Sequence, residues 1–182
     1  MTPAERLRQI EEIDRFLAEP KVLTELLPHW RDSHIPGRWA AEWPILDADE
    51  VAVPGVRIVF TCKKSDTSTS NLRVLFKNTA IYGVDLVRPQ KLKSNPPDAW
   101  KLNLPSTVRG SHFHCWRDNR AYALTCGVGQ LPYRRPSPRL LNRLPHALAA
   151  LADDINLALT PSQASFDVPP QGYLPLGGDD DL

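Results

Sequence analysis

Between residues 56 and 87 the apolar side chains fall on every second position, and this period leaves the chain little choice of fold. Val56, Ile58, Phe60 and Cys62 alternate with Arg57, Val59, Thr61 and Lys63. Leu72, Val74 and Phe76 alternate with Arg73, Leu75 and Lys77, and Tyr82, Val84 and Leu86 continue the pattern. A period of two puts one set of side chains on each face of a strand, so each run predicts a strand with one buried face. Asn78-Thr79 suits the turn between the second and third runs, and Pro54-Gly55 closes an acidic stretch before the first. Trp39, Ala41 and Trp43 alternate as well, predicting a strand over residues 38–46. The Ser/Thr-rich residues 64–71 read as a loop, and residues 88–109, with four prolines, as an ordered but irregular crossing.

Helical signals lie at the two ends. Thr2 and Glu5 have capping-box spacing, with Pro3 at the first helical position. Leu7, Ile10, Ile13, Phe16 and Leu17 follow at helical period until Pro20. Residues 21–30 suggest a short second helix. Toward the other end, residues 127–138 form a Gly/Pro connection and residues 138–159 read as helical, with Ser137 as cap and a second segment from Pro145. Leu148, Leu151, Ile155 and Leu159 form the apolar stripe. These elements predict an α+β fold in which an antiparallel sheet of five or six strands packs against N-terminal and C-terminal helices. The expected divisions are a helical segment over 1–34, a core domain over 35–160 and a flexible acidic tail over 161–182. Apolar residues within that tail, among them Phe166, Val168 and Tyr173, give part of it the means to dock.

The net charge of +1 conceals a segregation. Residues 1–55 hold 6 basic and 11 acidic side chains, residues 56–145 hold 16 and 4, and residues 146–182 hold none and 6. A basic middle between acidic flanks predicts either an acidic partner or pairing within the chain. Three cysteines, Cys62, Cys115 and Cys126, are odd in number and lack metal-knuckle spacing, so they read as reduced thiols of a cytoplasmic protein. There is no secretory signal pattern at the N-terminus and no apolar run long enough to span a bilayer, so no membrane partner is expected. The sequence also lacks a phosphate-binding glycine loop, a dinucleotide fingerprint, a nucleophile elbow and the two-His helix of metalloproteases. No cofactor is called for.

The segment Gly110-Ser111-His112-Phe113-His114-Cys115-Trp116-Arg117 carries the most chemistry. With Asp118-Asn119 as a two-residue turn, residues 110–126 predict a hairpin pairing Arg117 with Arg120, His114 with Ala123 and His112 with Thr125. Phe113, Cys115, Tyr122 and Leu124 would then form a core layer, and His112, His114 and Trp116 would share the opposite face beside small residues. Two imidazoles at i, i+2 can act as acid and base, and Arg109 can stabilise phosphoryl charge, which together would suit metal-free RNA cleavage. Metal binding by the pair needs further ligands; His29, His34, Asp85 and Asp98 are available, and spacing does not select among them. The plainer alternative holds both rings half-buried under the C-terminal helices with their nitrogens bonded to backbone.

Basic side chains opposite the apolar set (Arg57, Lys63, Arg73, Lys77) join others in the connections (Arg88, Lys91, Lys93, Lys101, Arg117, Arg120, Arg134, Arg135), with Trp100, Trp116 and Tyr133 interleaved. Charge along a backbone track plus rings for base stacking predicts a surface for single-stranded RNA or DNA. The competing expectation is an ordinary solvated face neutralised by the acidic flanks, or an acidic protein partner. Asp179, Asp180 and Asp181 on a tether would compete with a polyanion for the same face.

From about residue 56 to 156 the order of features resembles a group of small bacterial and phage proteins. The matching stretches are Leu72–Val87, Asn95-Pro96-Pro97-Asp98, Ser111-His112-Phe113-His114 and Asp154-Ile155-Asn156. The chain departs from the group in having Lys93-Ser94 where a His precedes the Asn-Pro step. The resemblance implies a role among mobile-element, toxin–antitoxin or phage-conflict functions. The function expected is thus a nucleic-acid-associated protein of such a system, with an RNase-like activity as its enzymatic form. The alternative is a non-enzymatic inhibitor or antitoxin-like module.

Overall fold

In the computed structural model, which describes residues 2–137 and 141–168, the chain is an α+β protein built on one large sheet. Helix α1 (Pro3–Ala18) starts at the capping box, with Thr2 and Glu5 bonded reciprocally. Strands β3 (Arg38–Asp47), β4 (Ala52–Lys63), β5 (Asp66–Phe76) and β6 (Thr79–Leu86) follow as an antiparallel meander. Preceding them are β1 (Lys21–Leu23) and β2 (Arg31–Asp32), both paired with β3. After β6 the chain leaves the sheet for a separate two-stranded ribbon, β7 (Leu92–Ser94) with β8 (Thr107–Arg109), which encloses a 3-10 turn at Ala99–Leu102. It returns as β9 (His112–His114), then α2 (Trp116–Cys126), β10 (Arg135–Pro136), α3 (Leu144–Asp154), β11 (Leu157–Ala158) and α4 (Pro161–Ala164). The large sheet runs β10-β9-β6-β5-β4-β3-β1-β11, with β2 also on β3, and every pairing is antiparallel except β1 with β11.

The apolar positions read from the alternation all point to one side. Trp43, Ile58, Phe60, Leu72, Val74 and Val84 are fully buried there, beneath Ile10 and Ile13 of α1 and Leu148 and Leu151 of α3. Phe16 stacks at 5.0 Å on Phe76, and Phe166, beyond the last helix, packs 5.3 Å from Phe60 and 5.6 Å from Trp43. Phe166 realises the docking expected of the C-terminal segment; Tyr173, Leu174, Leu176 and the acidic end lie outside the described residues.

Five expectations are corrected. Among the described residues the large sheet has nine strands, not five or six, because five of them are only two or three residues long, too short to display a period. Residues 21–30 are not a helix: the seven residues between Pro20 and Pro28 make too short a helix to be stable by itself, and Lys21–Leu23 instead pairs with β3. Lys21 turns inward, its ammonium on the carbonyls of Phe16, Leu17 and Glu19 at the C-terminal end of α1, where a cation complements the helix dipole. The hairpin over 110–126 does not form. The strand ends at His114, and Cys115 is the N-cap of α2. Asp118 falls in the first helical turn, a position that acidic residues favour as readily as a hairpin turn. Trp116, Asn119 and Ala123 form the buried helical stripe, whereas Leu124 is 43% exposed. Residues 66–71 also join β5 instead of looping, with Thr61 donating to Asn71 across the strands at 2.6 Å. The helix expected from 138 begins at Leu144; residues 138–140 are outside the described set.

Candidate functional site

With β9 placed beside β6, the register sets Asp85 opposite His112 and Gly83 opposite His114. All four side-chain positions lie on the sheet face away from the main core. Arg73 of β5 is the partner of Gly83 on the other side. Since Gly83 has no Cβ, the Arg73 side chain lies directly across β6; a methyl group at Gly83 would stand 2.8 Å from the guanidinium. From there Arg73 donates to the Leu72 and Val84 carbonyls and reaches Asp85 Oδ1 at 2.6 Å.

The second carboxylate oxygen, Asp85 Oδ2, faces both imidazoles. His114 Nε2 is 3.2 Å away and His112 Nε2 is 3.3 Å away. Each ring is fixed through its other nitrogen: His112 Nδ1 lies 2.9 Å from the Gly110 carbonyl, and His114 Nδ1 lies 2.6 Å from the Leu131 carbonyl. Gly110 holds a φ of +73°, which glycine adopts without strain, and this turn aims its carbonyl at the ring two residues on. His112 has no exposed surface and His114 is 6% exposed. Burial pushes the His114 imidazole pKa down, while Asp85 beside it works the other way. Burial also works against the Asp85 charge, and the Arg73 guanidinium on Oδ1 supports that charge.

The plainer expectation for the histidines, ring nitrogens bonded to backbone, therefore describes their Nδ1 atoms. What covers them differs: Leu131 belongs to the connection after α2, not to the C-terminal helices. Arg109 is not brought to this cluster; it ends β8 with its side chain exposed, opposite Leu92. The sequence offered Asp85 as one of four available ligands, and only the β6–β9 register singles it out. His29 and His34 stand on exposed connections, and Asp98 accepts a hydrogen bond from Tyr133 at 2.7 Å. Scans against protein-family models, curated proteins and solved structures each return no match for this chain.

The basic side chains divide into two sets. Arg57 pairs with Glu42, Arg73 with Asp85, Lys77 with Glu12, Arg88 with Asp66, Arg120 with Asp14 and Arg135 with Asp118. Trp116, expected on an open face, is buried, its indole N–H donating to Asp14 at 2.7 Å. Arg134 spends its guanidinium on the Ser94 and Pro132 carbonyls. Lys63, Lys91, Lys93, Lys101, Arg109 and Arg117 have no ion pair among the described residues. Four of these six sit in the excursion from Arg88 to Arg109.

On the core side of the sheet, Cys115 lies 3.3 Å from the Tyr82 hydroxyl, which donates to Asp154. Burial pushes both the Cys62 and Cys115 thiols up to about 11, so neither supplies thiolate at neutral pH. Cys126, at the end of α2, is exposed. A disulfide-exchange reagent is expected to titrate one thiol per folded chain quickly and the other two only in denaturant; fast reaction of two or more thiols would contradict this packing.

Proposed function

We propose that the chain binds single-stranded nucleic acid along the excursion of residues 88–109. The observation that carries this reading is the distribution of unpaired cations: Lys91, Lys93, Lys101 and Arg109 share one short excursion and have no ion pair among the described residues, while Arg57, Arg73 and Lys77 of the meander are each held by a carboxylate. Counterion release from phosphates rewards cations that lack a carboxylate partner, because no internal pair must be broken first. Trp100, 71% exposed, stands among them with Lys101 5.9 Å from its ring centroid, giving a stacking surface beside charge.

The excursion is held in place, which keeps these groups together. Asn95 donates to the carbonyls of Pro105 and Arg134 and accepts from the Arg134 N–H, all within 2.8 Å. Tyr133 fastens the 3-10 turn through Asp98, and Gly110 donates to the Lys91 carbonyl at 2.8 Å. An ordered surface loses less entropy on binding than a loop that must be organised by its ligand. On the resemblance to bacterial and phage proteins, a conflict system is the setting in which such binding would operate. An acidic protein partner is the competing occupant.

Binding of poly(U) and poly(dT), followed by anisotropy across a salt series, tests the reading. Removing one cation that neutralises a phosphate should reduce the log–log salt slope by about 0.7, so K91A/K93A/K101A/R109A should flatten it markedly. W100A should weaken binding by about 1–3 kcal/mol. K77A, whose ammonium is held by Glu12, should change little. Salt-insensitive binding, or equal losses in K77A and the quadruple variant, would refute the proposal.

A further inference from the structure

We propose that Asp85, His112 and His114 form a binding site for one divalent transition-metal ion, with zinc as the best-matched occupant. The argument starts from donors and acceptors. A carbonyl oxygen only accepts, so the Gly110 and Leu131 carbonyls require a proton on the Nδ1 atom of each ring. In a neutral imidazole this leaves Nε2 with its lone pair, and both Nε2 atoms point at a third electron-pair donor, Asp85 Oδ2. A proton on His114 Nε2 alone would bond that ring to Asp85 at 3.2 Å but leave His112 Nε2 without a partner, whereas a cation between the three donors satisfies both rings. Protons on both Nε2 atoms would be worse, since two imidazolium rings and the Arg73 guanidinium would then crowd one carboxylate away from water.

His112 Nε2 supplies a second, independent observation. It is completely buried and has no hydrogen-bond partner, its approach to Asp85 being out of line for a hydrogen bond. Buried polar nitrogens are rarely left so. A metal ion removes the anomaly without moving the strands.

The dimensions suit zinc. With bonds of about 2.0–2.1 Å in a tetrahedron, neighbouring donor atoms stand about 3.3 Å apart; the two N–O separations here are 3.2 and 3.3 Å, and all three donors lie within 4.8 Å of one another. The surroundings are also those of metal-ligating histidines, whose second ring N–H is typically donated to a carbonyl that fixes tautomer and orientation. Arg73 occupies Oδ1 and so reserves Oδ2 for the ion. Three protein donors are the number used by sites that leave a position for water or substrate.

The full-length chain, stripped with a chelator and dialysed, is titrated with Zn²⁺ and with Co²⁺ as a spectroscopic probe. One ion per chain is expected. In histidine-labelled protein, ¹⁵N spectra should show two of the five histidines binding through Nε2 while Nδ1 remains protonated. H112Q and H114Q should each weaken zinc at least about 100-fold, the upper end of what loss of a mere orienting partner costs. Zinc should also raise the melting temperature of the wild type but not of D85N. The wild-type spectra decide the matter even if a variant fails to fold. No shift at two histidines, or an ion held by His29, His34 or His146, overturns the proposal.

Discussion

Replacing Trp43 by alanine is expected to destabilise the protein by about 3–5 kcal/mol, the usual cost of emptying a large aromatic site in a core. Trp43 has no exposed surface and joins parts of the chain remote in sequence. Its ring packs 6.4 Å from Phe60 on the neighbouring strand and 5.6 Å, edge-on, from Phe166. Its indole N–H donates to the Thr24 carbonyl at 3.1 Å, fastening the segment that follows β1. Alanine would forfeit the buried area, the packing on both rings and the hydrogen bond, and would leave the Thr24 carbonyl without this partner. W43F keeps most of the ring volume and should lose considerably less. Urea unfolding measures both variants. A loss below about 1 kcal/mol for W43A, well under the core aromatic range, would mean that Phe166 and Trp43 do not share one core.

The second large effect is expected at Asp118. It is 4% exposed and holds Arg135 through two bonds of 2.6 and 2.9 Å, tying the start of α2 to β10. Since β10 pairs with β9, this fork braces the strand that carries His112 and His114. D118A removes the carboxylate and leaves the guanidinium without its partner. Breaking a buried pair on one side costs about 3–5 kcal/mol. The Arg135 side chain keeps 32% of its surface exposed, and water compensates part of that loss, so about 3 kcal/mol is expected here. D118L/R135M, which removes both charges, should recover much of the stability because no orphaned ion remains. If the double variant is no better than D118A, the cost lies in helix capping or packing instead of the unpaired charge.

The four long strands were legible because alternation is a local property. Any strand of ten residues with one buried face displays it, and β3, β4 and β5 do so over most of their length, whereas β6 is buried on both faces from Ile81 to Val84. The first helix was legible for the same reason, its cap and stripe both lying within α1. His112–His114 was also recognisable as a strand with both rings on one face. The turn at Asp118-Asn119 was misread because Asp and Asn suit a hairpin turn and a helical first turn alike; only the pairing of β9 with β6 and β10 removes the ambiguity. Basic residues could be counted but not sorted into paired and unpaired. The carboxylates that neutralise Lys77, Arg120 and Arg57 are Glu12, Asp14 and Glu42, distant in sequence and brought near by the sheet and α1.

Sequence alone determined that residues 38–87 make a one-sided sheet, that helices close it, and that two imidazoles project from the same face of one strand. Those facts follow from periods of 2 and 3.6 and need no knowledge of neighbours. Tertiary structure decided which carboxylate those imidazoles meet, that they are closed off from solvent, and that Lys91, Lys93, Lys101 and Arg109 on the excursion between β6 and β9 have no ion pair among the described residues. Strand register across a long connection is set by packing and by single turns such as Gly110, and no local pattern of side chains encodes it.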